Sequence, residues 1–135
     1  MSEQRGGVLI GDGRSSVRLT RAGEAQAIGY PTIVDLHAGP FHGTISENLL
    51  DYGRFLAQLN TLYESLSGRA GLGSYDGFEL DLIGGGMGGI EVRVKAIGKH
   101  VPLIQLTFSF DIDQSYLPAI IRQIDVEFRR PIEAN

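Results

Sequence analysis

The chain of 135 residues contains no cysteine. It can therefore form no disulfide, no thiolate metal site and no cysteine nucleophile, a composition typical of a protein in a reducing compartment. The cytoplasm is the expected location. The chain also lacks a polybasic run, and its net charge is −4. This balance argues against binding to nucleic acid or to an anionic membrane, and it favours a basic protein as the partner.

Long apolar runs are lacking as well. No stretch approaches the ~20 residues that a membrane-spanning helix needs, and the opening residues MSEQRGGVLIGDG do not have the pattern of a secretory leader. The apolar content of 42% and the charged content of 21% are ordinary for a globular chain. We therefore predict one soluble domain over residues 1–135, with the first dozen residues and the last few frayed.

One segment has a clear helical period. In NLLDYGRFLAQLNTLYESLSG the apolar residues recur at steps of three and four, which predicts an amphipathic helix over about 49–67. Asn48 is the expected N-cap, and Gly68 lies where a left-handed stop is expected.

A second amphipathic helix is predicted over about 116–130, where apolar residues again share one face. Pro118 decides its start, because proline has no N–H to donate within a helix. With Ser115 as the cap, Pro118 falls among the first positions, whose N–H groups have no helical acceptor. Ser115 is therefore preferred to Asp113.

Three segments alternate apolar and polar residues with a period of two, FELDLI, IEVRVKA and LIQLTFSF, and turn residues separate them. They predict a C-terminal antiparallel meander. Upstream, SSVRLTRA, TIVDLHA and FHGTISE read as shorter strands. The expected fold class is α+β, an antiparallel sheet of about six to eight strands packed on one face by the two helices. The clean alternation requires the other face to stay in water.

The stretch LIGGGMGGIEV contains Gly84-x-Gly86-x-x-Gly89, the spacing of a dinucleotide-binding loop. Such a loop needs a helix after it, because the helix N-terminus holds the phosphates. Here the strand-like IEVRVKA follows, and five glycines in a six-residue window make the match partly inevitable. We predict a hairpin tip and no nucleotide cofactor.

The register of this hairpin is set by charge. Pairing Leu82 with Val92 keeps the apolar faces together and places Asp81 opposite Arg93. A register one step tighter would oppose Asp81 and Glu91. Opposite charges across a ladder are favourable and like charges unfavourable, so the first register is expected.

Candidate metal ligands are sparse. Asp111-x-Asp113 lacks the glycine and the distal glutamate of a calcium loop, and its place before a helix favours a turn or cap. His37 and His42 can approach each other across a hairpin, but a zinc site needs a third ligand. His100 lies in a polar turn and is expected to be exposed. No metal site is predicted.

Catalytic candidates are equally sparse. No G-x-S-x-G motif occurs. Glu79, Asp81 and Glu91 share the open sheet face and could form a carboxylate pair for glycosidase chemistry. Arg93 and Lys95 stand on the same face as counter-ions, which favours solvated cross-strand pairing instead. No catalytic residue is predicted.

The succession of elements points to a family. A helix in DYGRFLAQLNTLYESLSG precedes a hairpin in GFELDLIG…GGIEVRVKAIG and a strand-to-helix corner in LIQLTFSFDIDQSYLPAIIRQI. Over roughly residues 40–128 this order resembles small bacterial families that include WapI-type immunity proteins of contact-dependent toxin systems. The resemblance implies a small cytoplasmic protein that binds another protein and neutralises a toxin. These families have no agreed catalytic residues, so the resemblance implies none.

Three functions stay open. The leading hypothesis is non-catalytic protein binding through the polar sheet face, whose expected contact residues are Glu79, Asp81, Glu91, Arg93, Lys95, Gln105 and Thr107. A small hydrolase could instead use the acidic residues of this face or of the 111–113 corner. A structural homo-oligomer could form on an exposed sheet edge.

Overall fold

The computed structural model describes residues 6–99 and 102–129. Within them the chain forms eight strands and two α-helices, and a 3-10 turn precedes the second helix. Their bounds are β1 Val8–Gly11, β2 Ser15–Arg21, β3 Tyr30–Ala38, β4 Phe41–Leu49, α1 Tyr52–Ser65, β5 Ser67–Gly73, β6 Phe78–Gly85, β7 Gly89–Gly98, β8 Ile104–Asp113, the 3-10 turn Gln114–Tyr116, and α2 Leu117–Arg129.

The strands form two antiparallel four-stranded meanders, β1-β2-β3-β4 (sheet 1) and β5-β6-β7-β8 (sheet 2). The chain thus makes a meander followed by a helix, twice. α1 packs on the first strand of sheet 2, and α2 packs on the first strand of sheet 1. The predicted α+β class, the strand number and the C-terminal meander are confirmed. The strands divide into two sheets because α1 intervenes between β4 and β5. A bridge between Leu50, just after β4, and Gly73 of β5 links the two sheets.

One buried apolar cluster joins the inner faces of both sheets to the helices. At its centre the Tyr52 ring of α1 stacks on Phe128 of α2 with 3.7 Å between ring centroids. The Tyr52 hydroxyl lies 3.2 Å from the Thr32 hydroxyl of β3. Burial raises the pKa of Tyr52, since the phenolate would lose its hydration there. Both helices and sheet 1 therefore meet at this contact.

The ends of α1 differ from the prediction. Asp51 is the N-cap and accepts a hydrogen bond from the Arg54 N–H at 3.0 Å, whereas Asn48 belongs to β4. The helix stops at Leu66, which has a left-handed φ of 63°, and Gly68 belongs to β5. Pairing of the flanking residues into strands has overridden the local capping signals.

The start of α2 also differs. Asp113 rather than Ser115 is the cap, and its carboxylate accepts the Ser115 N–H at 2.9 Å. A 3-10 turn then separates this cap from α2. Because of that extra turn, Pro118 still falls in the first turn of α2, where its missing N–H leaves no helical bond unmade.

Each helix covers the edge strand on which it packs. The Gln123 side chain accepts the Leu9 N–H at 2.9 Å, and the Gln58 side chain accepts the Gly71 N–H at 2.9 Å. Glu127 accepts the Arg21 N–H in the same way at 2.9 Å. Residues 8–11, which we expected to be frayed, form β1, and α2 accepts the outward N–H of Leu9 on this edge strand.

The glycine run is the β6–β7 hairpin, as predicted, and Asp81 stands opposite Arg93 in the predicted register. Gly86 and Gly88 supply the positive φ angles of the tip, 94° and 97°. The tip is anchored on both sides. Gly86 donates its N–H to the Leu66 carbonyl at 2.8 Å, and the Gly88 carbonyl accepts the Gln114 N–H at 2.8 Å.

Two neighbouring glycines of this run should respond oppositely to alanine. A Cβ at Gly84 would lie 2.7 Å from the Leu62 side chain and 2.7 Å from the Leu66 carbonyl, whereas one at Gly85 would meet nothing within 4 Å. We expect Gly84→Ala to lower the free energy of unfolding by about 1–3 kcal/mol through overpacking. Gly85→Ala should be neutral or stabilise by up to about 1 kcal/mol. Urea unfolding of both variants measures the difference, and equal effects would contradict the close packing at Gly84.

Candidate functional site

The outer face of sheet 2 carries the side chains predicted for partner binding. All of them point away from the buried cluster and are exposed or half-buried. Arg69 of β5 and two residues of β8 complete this surface, which we name the sheet-2 face. Its members are Arg69, Glu79, Asp81, Glu91, Arg93, Lys95, Gln105, Thr107, Ser109 and Asp111.

Two ion pairs lie across the sheet-2 face. The Arg69 Nε is 2.8 Å from an Asp81 carboxylate oxygen, and the Arg93 Nη2 is 3.2 Å from a Glu91 carboxylate oxygen. Glu91 raises the pKa of Arg93 by this hydrogen bond. Asp81 thus faces Arg93 in the backbone register but forms its ion pair with Arg69. Exposed ion pairs contribute little to stability, so these charges can be redirected to a partner at small cost.

Sequence reasoning missed Arg69. The strand SGRAGLG contains three glycines, and its apolar alternation is limited to Ala70 and Leu72, which is too short to mark a strand. Gly71 follows Arg69 in this strand, and a Cβ at Gly71 would lie 2.9 Å from the Asp81 carboxylate. Gly71 therefore leaves room for the Asp81 side chain beside Arg69.

A second feature is a groove of about 1080 Å³ between the outer face of sheet 1 and the start of α2. Arg14, His37, His42 and Tyr116 are among its lining residues. The two histidine rings stack at 5.4 Å between centroids, which confirms their predicted approach across the β3–β4 hairpin. In the part of the chain that the structure describes, no three metal-binding side chains cluster. His100 lies outside the described residues.

The acidic corner at the end of β8 has a structural role. The hydrogen bonds that Ser115 makes to Asp113 lower the pKa of that carboxyl below its usual value. Asp113 is thereby held as the cap before α2. Asp111 pairs with Glu91 across β7 and β8 and belongs to the sheet-2 face. Asp113 thus has the expected capping role, whereas Asp111 lies within β8 and not in a turn.

A family model extends over most of the structure. The model of the Immunity protein WapI-like family matches residues 34–131. The chain belongs to this family. The matched range runs from β3 to the end of α2, so it contains all of sheet 2 and the predicted resemblance is confirmed. Comparison with curated proteins and with solved structures gives no significant match.

Helix α1 has 14 residues and α2 has 13. Across residues 6–99 and 102–129, neither helix has the length and apolarity to cross a membrane.

Proposed function

We propose that this member of the WapI-like immunity protein family binds a protein toxin and blocks its activity without catalysing a reaction. Family membership supports an immunity role. The observation that carries the proposal is the sheet-2 face, where charged and polar side chains stand together on one open surface.

The β ladder gives this surface its specificity. Side chains on one face of neighbouring strands are held at fixed spacings by the backbone hydrogen bonds. The sheet-2 face therefore presents a defined pattern of four carboxylates and three cations, Glu79, Asp81, Glu91 and Asp111 with Arg69, Arg93 and Lys95. A complementary charge pattern on a partner speeds association and excludes wrong partners. The net charge of −4 favours a basic toxin domain.

The geometry of the face argues for binding rather than catalysis. A catalytic site normally lies in a concave pocket that excludes water. The groove of about 1080 Å³ lies on sheet 1, away from these carboxylates, and the pocket beside Glu79 holds about 40 Å³. Asp81 and Glu91 are each paired with an arginine. These two carboxylates are thus poor candidates for a general acid and a general base, and the hydrolase hypothesis has less support.

The test is co-production with the toxin domain encoded beside this chain in the host genome. We expect growth to be restored and a saturable complex to form with the purified toxin domain by calorimetry. The association rate should fall as salt is added, because salt screens the exposed charges. A toxin domain that stays fully active with excess protein present would overturn the proposal.

A further inference from the structure

The edge of sheet 2 at β8 differs from the edges at β1 and β5. Helix side chains accept outward N–H groups of β1 and β5, through Gln123 and Gln58. Just after the edge strand β4, Leu50 donates to the Gly73 carbonyl at 2.9 Å, and β4 itself carries the charged residue Glu47. For β8, residues 6–99 and 102–129 supply no hydrogen-bond partner on the side away from β7. A strand of ten residues is therefore left with an open edge.

The ladder shows which backbone groups of β8 are free. Gln114 donates its N–H to the Gly88 carbonyl directly opposite it. Because bonded pairs alternate along an antiparallel ladder, the even-numbered residues from 104 to 112 bond to β7. The hydrogen bond from the Ile97 N–H to the Gly77 carbonyl agrees with this alternation. It shows that the odd-numbered residues of β7 bond to β6, which leaves the even-numbered residues of β7 to bond to β8. The N–H and C=O groups of Gln105, Thr107, Ser109 and Asp111 therefore point outward.

Over residues 104–110, the side chains of β8 do not protect this edge. The stretch IQLTFSF, from Ile104 to Phe110, has no charged residue and no proline, the two devices by which edge strands usually resist pairing. On the core face, Ile104 is 60% exposed, and Leu106 and Phe108 are only partly buried. An apolar row therefore borders the free backbone groups.

We propose that β8 pairs antiparallel with β8 of a second copy of this chain, about a two-fold axis at Thr107. The two copies of sheet 2 then form one continuous eight-stranded sheet. Each outward odd-numbered residue of one β8 then lies opposite an outward odd-numbered residue of the other β8. The free N–H and C=O groups of the two strands can therefore bond to each other. On the core face, Leu106 meets Phe108 and Ile104 meets Phe110 of the other copy.

A second copy fits this edge better than an unrelated strand does. In the Thr107-centred register, the polar residues Gln105 and Ser109 face each other, and Asp111 passes beside Leu103. No like charges stand opposite one another, and the apolar row of each copy covers that of the other. The uncharged stretch 104–110 carries no signal for a partner of different charge, whereas its own pattern is self-complementary. The pairing is made by backbone groups of β8, a strand whose residues Gln105 and Thr107 also belong to the sheet-2 face.

Opposite charges placed at residue 107 test this register. Thr107 is exposed and faces its own copy on the axis, so Thr107→Lys alone or Thr107→Glu alone sets like charges against each other. We expect sedimentation velocity to show a dimer of the unaltered chain from micromolar to near-millimolar concentration. Each variant alone should have a dimer dissociation constant raised about tenfold or more. An equimolar mixture of the two variants should regain the dimer, because lysine then faces glutamate.

A matched control places the same charge on another edge strand. Ser46→Lys lies on the exposed outer face of β4, and it should leave the dimer unchanged. Thr107→Val keeps the N–H and the β propensity, so it should dimerise as the unaltered chain does. A chain that is monomeric throughout the concentration range overturns the proposal. Dimers that both charged variants retain, or a mixture that stays monomeric, also overturn it.

Discussion

Exchanging the charges of Glu91 and Lys95 is expected to weaken toxin binding by about 100-fold, because a charge-specified contact loses two complementary interactions and gains two repulsions. The double variant Glu91→Lys with Lys95→Glu keeps the net charge at −4. Long-range attraction between the two proteins is therefore unchanged, and only the pattern on the sheet-2 face is inverted. Calorimetry with the toxin domain measures the loss.

The same exchange should leave the fold intact. Glu91 faces Asp111 across β7 and β8, an unfavourable pair, and Lys95 faces Glu79 across β6 and β7, a favourable one. After the exchange, lysine faces Asp111 and glutamate faces Glu79. One unfavourable pair replaces another, each worth about 0.2–1 kcal/mol. Arg93 keeps a carboxylate two positions away, now on its other side. The free energy of unfolding, measured with urea, should therefore change by less than about 0.5 kcal/mol.

A control exchange separates the sheet-2 face from the rest of the surface. Glu64→Lys with Arg122→Glu also conserves the net charge, and both residues lie exposed on the helices. This variant should bind the toxin domain like the unaltered chain. If the Glu91 and Lys95 exchange left the affinity unchanged, the sheet-2 face would not be the contact surface.

The parts of the fold that sequence could predict are those in which local pattern and tertiary pairing agree. The β6–β7 register followed from the alternation of Leu82 and Val92 and from the charges of Asp81 and Arg93, and the structure has that register. β1 was missed because four residues carry too little period, and its order depends on Gln123, more than a hundred positions along the chain. Contacts of such range leave no trace in a local pattern.

The candidate site also has some residues that the sequence predicts and others that it does not. Alternation placed the seven predicted side chains on one face, because a period of two fixes the face of every residue once one is known. Arg69 was missed because β5 is rich in glycine. The groove on sheet 1 was missed because Tyr116 reaches it from the far end of the chain. Only the His37–His42 contact within it was local enough to predict.

Of the variants described here, truncation of Phe128 is expected to lower the free energy of unfolding most. Its ring stacks on Tyr52 at 3.7 Å and lies 6.1 Å from the Tyr30 ring, so it joins α2 to α1 and to β3. The side chain is 1% exposed. We expect Phe128→Ala to lower the free energy of unfolding by about 3–5 kcal/mol, from lost burial and the cavity that remains. The total free energy of unfolding of a domain of this size is about 5–15 kcal/mol.

This variant also tests the prediction of a single domain. Val126→Ala, two positions away on α2 and 58% exposed, is the control and should change stability by less than about 0.5 kcal/mol. Because one apolar cluster spans both sheets, loss of Phe128 should destabilise sheet 2 together with sheet 1. Far-ultraviolet circular dichroism and tyrosine fluorescence should then report one coincident urea transition, shifted to lower denaturant. Two separate transitions, of which only the first is shifted, would show that the two sheets unfold independently.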